Sequence, residues 1–432
     1  MTDRTVAPTP ITARADRRLI RANGRSRRFV LAQITAPPAT QRTERLPVNL
    51  AFVLDRSGSM SGPKIDLAKR TVSAALARLG ERDRFSIVVY DEVVDVVVES
   101  TPASPEARRD ALARLAPVDA RGSTDLGGGW LRGAEQVAAR LMPDGVNRTL
   151  LLTDGLANRG IVDPSALAVH AGELRARGVS TTTFGVGADF DEVLLQGMAD
   201  AGGGHFYFVR DAATIRDHIT SEVGETLEIV AREAELEIVA ADDVEVEAIS
   251  PQPTRSRGSR TIIGLGDLVA GQVLDVVLRV TFPYGEMGRE MGLIVGLGDR
   301  DGAFAGAAGG PAEARLTWLY ADGAANDREP RDVEVDRAVA TQFAARARQE
   351  AVRLNRLGDF AAARHVLVAT AKRIRGYAGR DPVLRGLIAE LEGEVDTFTA
   401  PMSAMSLKEA HFASGNMARM RDAEGRSLRS RS

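Results

Sequence analysis

Asp55, Ser57 and Ser59 stand at alternate positions directly after the apolar run NLAFVL, so a carboxylate and two hydroxyls share one loop at the end of a predicted strand. Carboxylates and hydroxyls are hard oxygen donors, the kind that Mg2+ and Ca2+ select. Gly58, between the serines, lets the loop turn tightly enough for both to aim at one centre. A second loop, Gly122-Ser123-Thr124-Asp125, offers another hydroxyl ahead of a helix, and a third, Thr153-Asp154-Gly155, offers another carboxylate after RTLLL. In open parallel sheets ligands bind outside the carboxyl ends of the strands, which is where these loops fall. The plainer reading is that Asp55 and Asp154 cap the helices that follow. It gives no reason for three hydroxyls to gather with them.

Other chemistries find less support. Ser61-Gly62-Pro63-Lys64 has the SxxK spacing of serine acyl-transferases, but no SDN or KTG partner exists, and the segment reads as the start of a helix. The chain has no GxxxxGK[ST] loop, no HExxH and no GxSxG. His170, His205, His218, His365 and His411 are scattered without ligand spacing, and Gly202–His205 leads into a strand, so it reads as a turn and not a phosphate cradle. The absence of cysteine removes thiolate metal sites, disulfides and cysteine nucleophiles, and fits a reducing compartment. A net charge of -3 gives no bulk attraction for polyanions. Arg14–Arg28 and Arg419–Arg431 carry no interleaved aromatic residues, so nucleic acid is not an expected partner. Lysine occurs only at Lys64, Lys69, Lys372 and Lys408, a bias to which the sequence assigns no role.

The elements that must position the loops lie between about Pro47 and Val230. Strands NLAFVL, RFSIVVY, VVDVVVE, RTLLLT, VSTTTFGV and HFYFV alternate with helices Lys64–Leu79, Pro105–Leu115, Leu126–Leu141, Pro164–Arg177, Asp191–Ala201 and Ala212–Val230. Continuous apolar runs rich in β-branched residues belong to strands covered on both faces. Asp163 before Pro164 is a helix-start signal. The alternation predicts an α/β fold with a doubly wound, mostly parallel six-stranded sheet.

DxSxS, then GSTDL, then TDG on consecutive strand–helix units resembles the metal-ion-dependent adhesion site (MIDAS) of von Willebrand factor type A (vWA) domains. The resemblance covers about Pro47–Val230 and places Asp55, Ser57 and Ser59 in the first motif, Thr124 in the second and Asp154 in the third. It implies that the two serines and the threonine coordinate the ion when a ligand is bound, with the aspartates acting directly or through water. One position is then left for an outside group, typically a partner's carboxylate. The order of the flanking segments is similar to bacterial intracellular members, in which a β-sandwich and a helical region follow. The inter-α-trypsin inhibitor heavy chains share the module but are secreted and carry a further N-terminal domain.

Outside the α/β stretch the pattern divides the 432 residues further. Residues 1–13 read as a disordered N-terminus, and 14–46, with RRFVLAQITAP, as one or more strands given to a later sandwich. Short alternating runs such as VLDVVLRVTF and ARLTWLY make 231–325 an antiparallel β-sandwich, so that the α/β domain (47–230) is inserted in it or joined to it. Asp299–Pro311 and, less so, Ala321–Asp327 are Gly/Ala-rich and read as mobile. Apolar positions Val335, Val339, Phe343, Ala347, Ala351 and Leu354 begin a helical region over 332–398. Residues 399–432 read as a tail with no core pattern. Its Glu409, Asp422 and Glu424 are carboxylates that could complete a metal shell from within the chain, beside the plainer reading of a surface tail.

Hydrophobic residues at 44% and charged residues at 27% are the balance of a globular protein. No apolar run is long enough for a membrane span, and the charged N-terminus lacks the apolar core of a secretory signal, so the expected location is the cytoplasm. The expected function is non-enzymatic: a metal-dependent protein-interaction module in an intracellular bacterial assembly. It would hold Mg2+, with Mn2+ or Ca2+ as alternatives, and bind an Asp or Glu of a partner protein. The alternatives are an accessory subunit of an AAA+ ATPase or, less favoured because the loops hold no separate general base, a metal-dependent hydrolase.

Overall fold

The computed structural model describes residues 9–39, 45–211, 214–305 and 312–430. Residues 1–8 of the N-terminal stretch, 40–44 of the stretch read as strand, 212–213 of the sixth predicted helix, 306–311 of the Gly/Ala-rich stretch and 431–432 of the tail lie outside the described residues. Three strands come first: β1 (Ile11–Ala15), β2 (Leu19–Arg21) and β3 (Ser26–Thr35). β1 begins inside the stretch read as disordered. Its outward residues Thr12 and Arg14 hide the pattern, while Ile11 is buried opposite Ile34.

The α/β unit follows, with β4 (Val48–Asp55), β5 (Arg84–Tyr90), β6 (Val94–Pro102), β7 (Val146–Thr153), β8 (Ser180–Val186) and β9 (Gly203–Val209). Its helices are α1 (Pro63–Leu76), α2 (Pro105–Leu115), α3 (Leu126–Ala138), α4 (Pro164–Ala176), α5 (Glu192–Gly202) and α6 (Ile215–Leu227). The sheet order is β6-β5-β4-β7-β8-β9, all neighbours parallel except the β5–β6 pair. Every residue of β4 and of β7 is buried, as expected where helices cover both faces. α1, α2 and α6 contribute to the core on one face, and α3, α4 and α5 to that on the other. Chain order reverses between β4 and β7, so the crevice at their carboxyl ends is the switch point where such sheets bind ligands.

Seven strands complete the β-sandwich: β10 (Ile229–Ala240), β11 (Glu245–Ala248), β12 (Thr254–Arg257), β13 (Arg260–Val269), β14 (Val273–Phe282), β15 (Glu290–Gly298) and β16 (Ala312–Ala321). One sheet runs β1-β3-β14-β11 and the other β12-β13-β10-β15-β16-β2. β3 pairs with β14 from Ser26–Phe282 to Thr35–Val273, and β2 pairs in parallel with β16. The α/β unit is therefore inserted between strands of one sandwich, whose apolar faces enclose a separate core. β10 starts at Ile229, two residues inside the sixth predicted helix, because its first residues are apolar enough to serve either element.

α7 (Gly323–Arg328), α8 (Val333–Arg356), α9 (Phe360–Ala378), α10 (Pro382–Glu394) and α11 (Ala404–Ala418) form the C-terminal part. α7 lies in a stretch read as mobile. Asp322 caps it by accepting from the Ala325 N–H at 2.9 Å, and the following Glu329 accepts from the Arg18 and Leu19 N–H groups. α11 lies in the stretch read as a patternless tail. Its buried positions include Lys408, Ser414, Gly415 and Asn416 beside Phe412, so an apolar stripe is missing even though the helix packs on α8 and β9. Among the described residues, no helix is long and apolar enough to cross a membrane.

Candidate metal site

Asp55 closes β4 and Thr153 closes β7, so the sheet itself brings the first and third loops side by side. Asp55 accepts from the Ser57 N–H at 2.7 Å and from the Thr153 hydroxyl at 2.6 Å. The Ser57 and Ser59 hydroxyl oxygens lie 3.1 Å apart, and the Ser59 hydroxyl donates to Asp154 Oδ1 at 2.6 Å. Ser57 precedes a single 3-10 turn, Gly58–Met60, which folds Ser59 back toward it. The second loop is tied to both others. The Gly58 N–H donates to the Gly122 carbonyl at 3.1 Å, the Thr124 N–H donates to Asn158 Oδ1 at 3.0 Å, and the Asn158 N–H returns to the Thr124 carbonyl at 3.3 Å. A Cβ at Gly155 would stand 3.6 Å from both the Ser59 and the Thr124 hydroxyl oxygens. The structure thus brings Asp55, Ser57, Ser59, Thr124 and Asp154 to one place.

Asp55, Ser57, Thr124 and Asp154 are buried, whereas Ser59 is exposed and marks the side from which the cluster is reached. Burial pushes the Asp55 carboxyl up to about 6; bonds from Thr153 and Ser57 pull against this, and the negative charge of Asp154 adds to it. Two carboxylates are here held close in a dry position, with three hydroxyls beside them and no sulfur or imidazole in the set. This donor chemistry fits a hard divalent cation. The capping alternative fails on geometry. α1 has Gly62 at its N-cap, and the Asp154 oxygens are engaged by Ser59 and Lys64. Asp125, by contrast, is a cap: it accepts from the Gly128 N–H of α3 at 2.9 Å.

Several supporting residues escaped the sequence reading. The Lys64 ammonium pairs with Asp154 Oδ2, although the SxxK pattern was the only signal at that position. Arg56, inside DxSxS, turns away and binds Asp91 at 2.9 Å and Asp95 at 2.5 Å; Arg121 of the second loop also reaches Asp91, at 2.8 Å. Asp91 thereby ties the first two loops together from β5's end. Nothing in the sequence marks Asn158.

The tail carboxylates are held elsewhere. Glu409 pairs with Arg210 at 3.1 Å, and Asp422 and Glu424 each pair with Arg426 at 3.2 Å, so none of them supplies an internal ligand in this arrangement. Among the described residues, the scattered histidines yield one cluster, His205 with Glu222 and Glu225. Arg148 and Arg421 already neutralise its carboxylates, and Ser427 of the C-terminal segment bonds Glu225, which marks a tie between the α/β unit and the chain's end.

Residues 49–221 match the family model of the von Willebrand factor type A domain, and this stretch is such a domain. Among curated proteins, the chain is 29% identical over 249 residues to the uncharacterized protein YfbK of Escherichia coli (strain K12), covering 56% of this chain and 43% of YfbK. It is 30% identical over 165 residues to human inter-alpha-trypsin inhibitor heavy chain H4, covering 37% of this chain and 18% of the heavy chain. The chain thus spans less than half the length of either protein. The fold extends over nearly the whole chain in a von Willebrand factor type A protein from Catenulispora acidiphila, with TM-score 0.69, 18% identity and 98% of both chains covered. The ArnB paralog VWA2 from Sulfolobus acidocaldarius also shares it, with TM-score 0.58, 14% identity and 97% and 99% of the two chains covered.

Proposed function

We propose that this protein is a metal-dependent interaction module: Asp55, Ser57, Ser59, Thr124 and Asp154 hold Mg2+, or Mn2+ or Ca2+ in its place, for a carboxylate of a partner protein. The observation that carries the reading is the convergence of two buried carboxylates and three hydroxyls from three loops at the switch point of the sheet, beside an exposed edge. A vWA domain is a common protein-interaction module, which agrees with it. A bound dication would act as a Lewis acid toward an incoming Asp or Glu. The chain's own contribution is to preorganise the donors. Thr153 and the Ser57 N–H orient Asp55, Ser59 orients Asp154, and the Thr124–Asn158 pair fixes the second loop. Glu92, a carboxylate beside the second loop, is already held by the Ser123 N–H and hydroxyl, and the reading is binding without turnover. The sandwich and helical region hold the module in one orientation, in keeping with a role inside a larger, cytoplasmic assembly.

The test is thermal melting of the full chain in EDTA and in millimolar Mg2+, Mn2+ or Ca2+. A ligand that binds only the folded state stabilises it by about 2.7 kcal/mol at a hundred times its Kd. The expected result is a higher melting temperature with metal that EDTA reverses, and that the Ser57→Ala/Ser59→Ala double variant lacks. Identical curves across millimolar concentrations sink the reading.

A further inference from the structure

Lys64 places a cation at the cluster before any metal arrives. It lies in the first turn of α1, directly after Pro63, where the helix dipole and free N–H groups disfavour positive charge. Asp66, the acidic residue of that turn, faces Lys69 at 3.7 Å. The Lys64 side chain instead reaches back over the first loop. Its ammonium pairs with Asp154 Oδ2 and lies 3.3 Å from the Ser59 carbonyl oxygen. The lysine side chain is 32% exposed and that of Asp154 is 0% exposed, so the cation closes the solvent side of a carboxylate that has no other countercharge among the described residues.

The formal charges give this lysine a function. Asp55 and Asp154 carry two negative charges between them, and Lys64 cancels one. With Lys64 in place, a dication makes the site singly positive, and one carboxylate from outside brings it to neutrality. Without Lys64, the two aspartates and the dication are already neutral, and an outside carboxylate would leave the site negative. In a partly buried site each unit of imbalance is felt strongly.

We propose that Lys64 is a positioning residue that makes the site select a carboxylate, weakening the hold on the metal ion while strengthening the hold on the acidic ligand. The inference rests on the metal-binding reading of the cluster. It differs from a merely structural role because it requires two affinities to move in opposite directions when one charge is removed.

The experiment uses the full chain with Lys64→Met, which keeps the aliphatic stem without the charge, Lys64→Gln as a second neutral variant should the first not fold, and Lys64→Arg, which keeps the charge. Mn2+ binding is measured by electron paramagnetic resonance of the free ion. Acetate binding is then measured at saturating Mn2+ from the fall in water-proton relaxivity as carboxylate displaces water. The neutral variants should bind Mn2+ about tenfold more tightly and acetate about tenfold more weakly, the scale of one partly screened unit charge. Lys64→Arg should restore acetate binding toward the wild type. Unchanged affinities in the neutral variants, or both moving the same way, overturn the proposal while leaving the metal site standing. A wild-type protein that binds no Mn2+ overturns the metal reading and this inference together.

Discussion

Asp55→Asn should make the metal-free protein more stable and the metal-supplied protein less responsive. The Asp55 side chain is fully buried, and its carboxyl is raised to about 6 from 3.8 in an unfolded chain. A group whose folded pKa is raised favours folding in its protonated form. That contribution is complete below pH 3.8 and is lost as pH rises through about 6. The full gap corresponds to about 3 kcal/mol at neutral pH, since each pKa unit is worth about 1.4 kcal/mol. Asparagine keeps the shape without the charge. Its carbonyl can accept from the Ser57 N–H, and its amide can donate to Thr153, whose own proton has the Gly155 carbonyl at 3.3 Å as another acceptor. Some of the gain will be lost in this rearrangement, so about 1–3 kcal/mol is expected. The assay is urea unfolding in EDTA at pH 7.5, in a Trp318→Phe background so that Trp130, buried in α3, reports on the α/β unit alone. The gap should shrink as pH falls through about 6 and close only well below pH 3.8, by about pH 3, where aspartate is protonated in both states. Addition of Mn2+ should then stabilise the wild type and leave Asp55→Asn unchanged. A variant less stable than the wild type in EDTA, or a gap that persists undiminished at about pH 3, refutes the claim that the site stores an uncompensated charge.

The remaining expectations concern the surroundings of the site. His411 of α11 is held near 4, below its usual 6.5, chiefly by burial and then by Arg356, Arg419 and Lys408, so it must stay neutral to dock. A lowered folded pKa costs stability as pH falls from 6.5 toward 4, by up to about 3 kcal/mol; hydrogen exchange should show α11 loosening in that window, and His411→Gln should flatten the dependence. Glu192 of α5 pairs with both Lys408 and Arg356, so Glu192→Ala, which strands two cations, should cost about 3–5 kcal/mol in urea unfolding and Lys408→Met distinctly less. Equal losses would mean that Arg356 takes no part. Gly129 lies so close to the Tyr90 ring that a Cβ would stand 2.4 Å from it, so Gly129→Ala should destabilise the α/β unit by about 1–3 kcal/mol, read from its melting temperature. A neutral result would show that α3 can move away from β5.

The α/β alternation and the candidate ligand set were legible in the sequence because each is carried by short-range pattern. A strand such as VNLAFVLD is buried on both faces and so is apolar throughout, and the DxSxS, GSTDL and TDG motifs each sit at a strand end. The supporting shell was not legible. Lys64 meets Asp154, Thr124 meets Asn158, and Arg56 meets Asp91 only because the sheet places β4, β5 and β7 side by side, and sequence distance holds no record of that order. The ends of the chain were misread for a related reason. β1 is short, with Thr12 and Arg14 on its outward side, and α11 buries Lys408, Ser414 and Asn416 beside Phe412, so neither shows a strong apolar period of its own. Their order comes from partners far along the chain: Ile34 for β1, and Glu192, Phe206 and Phe208 for α11. Local pattern determined the α/β alternation and which side chains are the candidate donors. Packing alone decided that two of those side chains share a buried, charge-strained corner with a lysine standing over it, because electrostatics depends on distances in space and not on spacing along the chain.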